Sequence, residues 1–192
     1  MTKTFYLMRH GQTLFNVRRK IQGACDSPLT ELGIQQAEAA AKYFDTITFD
    51  KLYASTSERA SDTLEIATRN RMPYTRLKGL KEMNFGTYEG ESEDLNPDRE
   101  TFETFFVAYG GESRDMVKER MKETCLNIMR QADHDCVLAV SHAGACLHFL
   151  RNWADPSVVF NAGGFKNCAI LKFEYDNDVF TFVEVIHPEV VE

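Results

Sequence analysis

Two short apolar runs constrain the fold of this chain more than any other feature. They are residues 4–8 (Thr-Phe-Tyr-Leu-Met) and residues 136–140 (Cys-Val-Leu-Ala-Val). Neither alternates polar with apolar side chains, so neither reads as a strand with one wet face; each reads as a strand covered on both sides. Helical segments are expected at residues 30–44, where Thr30 is a natural N-cap before an Ala, Gln and Glu-rich body, and at 57–70, 114–131 and 144–153. A further short strand is expected at residues 51–54. Residues 169–175 and 179–186 read as a closing hairpin turning at Asp176-Asn177-Asp178. Buried strands alternating with helices predict an α/β fold, a three-layer sandwich with a mostly parallel central sheet flanked by helices. The 192 residues show no repeat and no linker, and suffice for one domain, residues 1–192.

One segment interrupts the alternation. Residues 91–111 begin acidic (Glu-Ser-Glu-Asp-Leu-Asn-Pro-Asp) and then carry Phe102, Phe105, Phe106 and Tyr109 at i, i+3, i+4 and i+7, the spacing of one helix face. This predicts a helical insertion. Its aromatic stripe either packs the insertion down or walls the active site, and both roles are compatible.

Charge and composition exclude several classes. A net charge of -7 argues against a nucleic-acid surface, which needs a basic face. It leaves room for a small phosphorylated ligand, which needs only a local cationic cluster. No stretch has the length of a membrane span, and residues 2–8 are too short, and interrupted too soon by Arg9 and His10, for a signal peptide. Five scattered cysteines form no C-x-x-C pair and no zinc spacing, so reduced thiols in a cytoplasmic protein are expected.

The chemistry is concentrated at strand ends. The first strand runs into Arg9-His10-Gly11-Gln12. An arginine there can bind an anion, the imidazole can attack a phosphoryl group, and glycine lets the backbone turn close to both. The second strand leads into Ser55-Thr56-Ser57-Glu58-Arg59, and the strand ending at Val140 delivers Ser141-His142-Ala143-Gly144, each at a helix start. Glu82 falls on a loop. Open α/β sheets bind ligands beyond the carboxyl ends of their strands, and helix N-termini attract anions. Arg9, Arg59 and His142 are therefore expected to meet around a phosphate.

These pieces carry a family resemblance. Leu7-Met8-Arg9-His10-Gly11-Gln12-Thr13 with Asn16, Gln22-Gly23, residues 26–37, the arginine block 55–63, the acidic block 80–90, Gly111-Glu112-Ser113 and Val140-Ser141-His142 follow one another in order. With them the chain resembles the histidine phosphatase, or phosphoglycerate-mutase-like, superfamily nearly end to end. The resemblance implies that His10 is the nucleophile and forms a phosphohistidine. It implies that Arg9 and Arg59 grip nonbridging oxygens, which the guanidinium fork suits, and that His142 donates to the phosphoryl group. Asn16, Gln22 and the backbone at Gly23 would complete the substrate cradle. Glu82 would protonate the leaving alkoxide and then activate water, which implies an acidic to neutral optimum. Glu89, Glu91 and Glu93 lie near it in sequence. No metal and no cofactor are implied, because arginines and histidines supply the positive charge. Ala143 departs from the family, which usually has glycine after its second histidine; a narrower pocket is expected. His148 is expected to pack, and His134 and His187 to lie at the surface.

The resemblance implies a metal-independent phosphatase acting on a small phosphorylated metabolite. A phosphoglycerate mutase is the alternative, and a regulatory phosphate- or phosphoprotein-binding module a weaker one. The mutases of the family carry a basic segment after the acidic block, where this chain has Glu91-Ser92-Glu93-Asp94. A binding module would be expected to lack one of His10, Glu82, Arg9 or Arg59. Protein-phosphohistidine phosphatases of the family are shorter and lack the insertion. The resemblance leaves the oligomeric state, monomer or homodimer, open.

Overall fold

The computed structural model describes residues 2–98 and 100–190. Six strands form one sheet: β1 (Lys3–Arg9), β2 (Lys51–Ser55), β3 (Thr75–Leu77), β4 (Cys136–Ser141), β5 (Ile170–Asp176) and β6 (Val179–Ile186), in the order β3-β2-β4-β1-β5-β6. The first four are parallel, and the β5–β6 hairpin is added antiparallel to β1. The mostly parallel sandwich predicted from the buried runs is the architecture observed.

Alternation along the central strands builds two cores. Phe5 and Leu7 of β1, with Val137 and Ala139 of β4, join a cluster with Val117, Met121, Cys125 and Phe149. Those residues belong to helices α4 (Arg114–Met129) and α5 (Ala143–Leu150). Tyr6 and Met8, with Leu138 and Val140, join Ala40, Phe44, Ala60 and Leu64 of α2 (Glu31–Phe44) and α3 (Glu58–Ala67) on the opposite face. Both faces of β1 and β4 are covered, which is why neither strand shows polar alternation. The Thr30 hydroxyl caps α2 by accepting from Gly33 N at 3.1 Å. The hairpin turns through Asn177 and Asp178 at positive φ, a conformation these two residue types tolerate.

Several expectations are corrected. The insertion is helical but not one α-helix. It consists of 3₁₀ turns at Glu93–Leu95, Thr101–Glu103 and Phe105–Tyr109, broken at Thr104 and closed by Gly110 at φ 79°. Threonines and adjacent phenylalanines are weak helix formers, and the short turns still gather the aromatic stripe. Helix α3 stops at Ala67 rather than residue 70, where Arg69 and Asn70 adopt positive φ. Strand β3, helix α1 (Leu14–Val17) and helix α6 (Ser157–Asn161) carry too few residues for a legible period. His134 is buried, not at the surface, between the Tyr53 hydroxyl at 2.7 Å and the Asp133 carboxylate at 2.8 Å. His148 is packed as expected, and burial lowers its pKa to about 4. All five cysteines are free thiols, and no described helix is long and apolar enough to cross a membrane.

Candidate active site

Register places the two histidines together. Arg9 of β1 is paired with Ser141 of β4, so the residues that follow leave adjacent strand ends side by side. His10 N donates to Ser141 O at 3.0 Å, and the rings of His10 and His142 lie 5.2 Å apart, edge to face. The next parallel strand, β2, ends at Ser55, whose hydroxyl meets His142 Nε2 at 2.8 Å.

Both imidazoles are buried and neutral at ordinary pH. Burial, then the charges of Arg59 and Arg9, hold His10 well below the usual histidine range. Burial, then Arg59, does the same to His142. Hydrogen bonds fix the tautomers. His10 Nδ1 donates to Gly11 O at 2.7 Å, which leaves Nε2 with a free lone pair. The Ser55 hydroxyl already accepts from Ser57 N and has no acceptor in reach among the described residues except His142 Nε2. That assignment puts the His142 proton on Nδ1, a buried atom with no hydrogen-bond partner. Arg9 is similar: Nη1 donates to Phe165 O at 2.7 Å, while Nε is buried and unpaired. Two donors beside a neutral imidazole are what an incoming phosphoryl group requires.

Arg59 is already engaged by side-chain and main-chain partners. It is wholly buried, and its fork holds the loop that follows α1. Nη1 donates to Cys25 O at 2.9 Å and to the Asp26 carboxylate at 2.8 Å, and Nη2 donates to Gly23 O at 3.0 Å. With the Gln22 amide oriented to satisfy all its neighbours, its oxygen accepts from Arg59 Nε at 2.9 Å and its nitrogen donates to Thr13 Oγ1 and Ser27 Oγ. The charge of Arg59 reaches His10, and contact with phosphate would require exchanging some of these partners. Gly23 is likewise engaged, because its N–H donates to Glu89 at 3.0 Å.

Glu89 is the counterpart of Arg59. Its carboxylate accepts from the N–H groups of Gly23, Ala24 and Cys25 and from Phe85 N at 2.9 Å. Burial works to raise its pKa; the Cys25 thiol and the N–H groups of Cys25, Phe85 and Ala24 outweigh it and hold the carboxyl below the ordinary range. Glycine is obligatory at position 23, since a Cβ there would lie 2.0 Å from Met83 O. Glu89→Ala is expected to cost about 2–4 kcal/mol of stability in a urea titration, because it strands four N–H donors. A depressed carboxyl stabilises the fold at neutral pH and loses that effect as pH falls through its folded pKa. The gap between wild type and variant should therefore close on acidification below the ordinary glutamate range.

Glu82 lies at the N-terminus of α5. Oε1 accepts from Met83 N and Ala145 N, and Oε2 from Gly144 N, each at 2.8 Å. Both lone pairs of Oε1 are used, so a proton can sit only on Oε2. A Cβ at Gly144 would meet Oε1 at 2.7 Å, so glycine is needed there, while the Ala143 methyl faces the cavity. Arg120 props the Glu82 segment from behind, donating to Gly79 O and Lys81 O at 2.9 Å and to the Glu112 carboxylate.

Arg9, His10, Asn16, Gln22 and Glu82 line one cavity of about 180 Å³. His142 and Arg59 are fully buried behind it, and Gly23 faces the clamp. The remaining wall includes Lys20, Phe85, Glu93, Asn96 and Phe102. The aromatic stripe thus does both things expected of it. Phe106 is completely buried among Phe85, Tyr88, Phe102 and Phe105, and Phe102 reaches the cavity. Sequence reasoning missed Asn167, whose amide donates to His10 O at 3.1 Å and Asn16 Oδ1 at 3.3 Å. It also missed the Glu89 and Arg120 clamps, although Glu89 lies within the block 80–90 that carries the resemblance.

Comparison with known proteins gives the family. Residues 5–187 match the family model of the histidine phosphatase superfamily, branch 1. The chain is 30% identical over 182 residues to a probable phosphoglycerate mutase GpmB of Proteus mirabilis, covering 90% of this chain and 85% of that one. Among solved structures, YhfR of Bacillus stearothermophilus is 29% identical with a TM-score of 0.81, over 97% of this chain and 99% of that one. A phosphoserine phosphatase from Entamoeba histolytica, solved with 3-phosphoglyceric acid, is 25% identical with a TM-score of 0.77, over 95% of each chain.

Proposed function

The chain belongs to the histidine phosphatase superfamily, branch 1, and from that premise we propose that it is a metal-independent phosphatase of small phosphomonoesters. The observation that carries this reading is the His10 ring. Its Nδ1 is held by Gly11 O, and its free Nε2 belongs to the cavity that also holds Glu82.

In the first half-reaction Nε2 forms a bond to phosphorus as the ester P–O bond breaks. The leaving alkoxide takes a proton from Glu82 Oε2. Charge on the equatorial oxygens is met by Arg9 and by the His142 Nδ1–H, with Asn16 and Gln22 at the rim. In the second half-reaction the Glu82 carboxylate removes a proton from water, the oxygen bonds to phosphorus, and the P–N bond breaks. Inorganic phosphate leaves and His10 is regenerated.

A mutase reading is favoured by the name of the Proteus mirabilis relative. It is disfavoured by the cavity wall, where Glu93 stands and, among the described lining residues, Lys20 is the one lysine or arginine besides Arg9. Incubation with p-nitrophenyl phosphate and with each phosphoglycerate separates the two. Stoichiometric inorganic phosphate is expected from the aryl ester. Interconversion of 2- and 3-phosphoglycerate faster than phosphate release would establish the mutase instead.

A further inference from the structure

Once the groups assigned to phosphoryl transfer are set aside, the cavity keeps two charged side chains, Lys20 and Glu93. Lys20 pairs with no carboxylate among the described residues. Glu93 has a 3.7 Å contact with the exposed Arg19, which is better matched to Asp94 at 2.9 Å, and its charge also reaches Arg9. Asp94 is thereby drawn outward and Glu93 is left on the cavity wall. Both positions are fixed by main-chain bonds that stitch the insertion to the loop after α1. Glu93 N donates to Arg19 O, Ile21 N to Glu91 O and Gly90 N to Ile21 O, all at 2.8–2.9 Å, with Lys20 bridged to Ser92. A cation and an anion are thus presented to one small space without neutralising each other.

Their signs select a ligand. The hydroxyls of a sugar phosphate would hydrogen-bond both groups but neutralise neither. A second phosphate or a lone carboxylate would satisfy Lys20 but bring negative charge to Glu93. A ligand with both an ammonium and a carboxylate satisfies both. A cavity of about 180 Å³, below the usual ~300 Å³ floor for drug-sized ligands, favours a compact one. Building on the hydrolase reading above, we infer that the substrate is a phosphorylated amino acid of about the size of serine, with Glu93 receiving its ammonium and Lys20 its carboxylate.

Four matched esters test this through kcat/KM. They are O-phosphoserine, 3-phosphoglycerate (ammonium replaced by hydroxyl), phosphoethanolamine (carboxylate removed) and propyl phosphate (neither group). Phosphoserine is expected to exceed each singly depleted ester by about tenfold or more, the worth of one close charge pair. Glu93→Gln should bring the phosphoserine to phosphoglycerate ratio to about one, and Lys20→Gln should do the same to the phosphoserine to phosphoethanolamine ratio. Equal rates for esters with and without the ammonium, or ratios that ignore both substitutions, would overturn the assignment. Release of phosphate from p-nitrophenyl phosphate reports on the hydrolase reading separately. If that fails, the same ratios are read as dissociation constants by calorimetry on His10→Ala, where no turnover is needed.

Discussion

His10→Ala is expected to lower turnover of p-nitrophenyl phosphate by about 10⁴-fold or more, equivalent to about 5 kcal/mol of barrier, while the protein stays folded. The size of the effect follows from the absence of a substitute. His142 is the nearest imidazole, but its Nε2 is held by Ser55, and on the proton assignment above its Nδ1 carries hydrogen. It can donate to a phosphoryl group and cannot attack one. Removal of the His10 ring leaves the backbone bonds at this position intact, because His10 N and O are held by Ser141 and Asn167. The thermal midpoint should therefore move little. Wild-type enzyme quenched in alkali during turnover should carry an acid-labile, base-stable phosphoryl group, and His10→Ala should carry none. Retention of activity in the variant would refute the nucleophile.

The second large effect belongs to Glu82. Glu82→Gln is expected to reduce hydrolysis of alkyl phosphates by about 10²–10⁴-fold, the range of a positioned general acid, and of p-nitrophenyl phosphate by about tenfold or less. An alkoxide needs its proton as the P–O bond breaks, whereas nitrophenolate leaves without one. The difference between the two substrates is the diagnostic quantity, because loss of geometry would lower both alike. The amide would also place an NH₂ against the Gly144 N–H that now donates to Oε2. A modest loss of stability, about 1–3 kcal/mol, should accompany the kinetic change. Equal losses on both esters would assign Glu82 to holding the start of α5 and leave the acid unidentified.

The sequence revealed those parts of the molecule that depend on neighbours in the chain. Thr30 caps α2 because its hydroxyl meets an amide three residues on, and Asn177-Asp178 turns the hairpin through its own backbone. The buried runs at β1 and β4 disclosed a doubly covered sheet, and their ends delivered His10 and His142. What stayed hidden depends on partners far along the chain. Arg59 near a helix start suggests an anion, yet its fork meets a carboxylate and carbonyls 33 to 37 positions away, which no local pattern encodes. Asn167 reaches His10 across 157 residues with no motif around it. The spacing of Phe102, Phe105, Phe106 and Tyr109 identified the shared face and a helical segment but not its kind, because 3₁₀ turns broken at Thr104 can gather the same side chains.

The loop between α1 and α2 has little apolar anchorage of its own. Its amides are gathered by a carboxylate from one segment and its carbonyls by a guanidinium from another. During folding neither grip is complete until both side chains have docked. The pocket should therefore form in a single late step, and a protease probing partly folded chains should find residues 22–26 open until the last native contacts close.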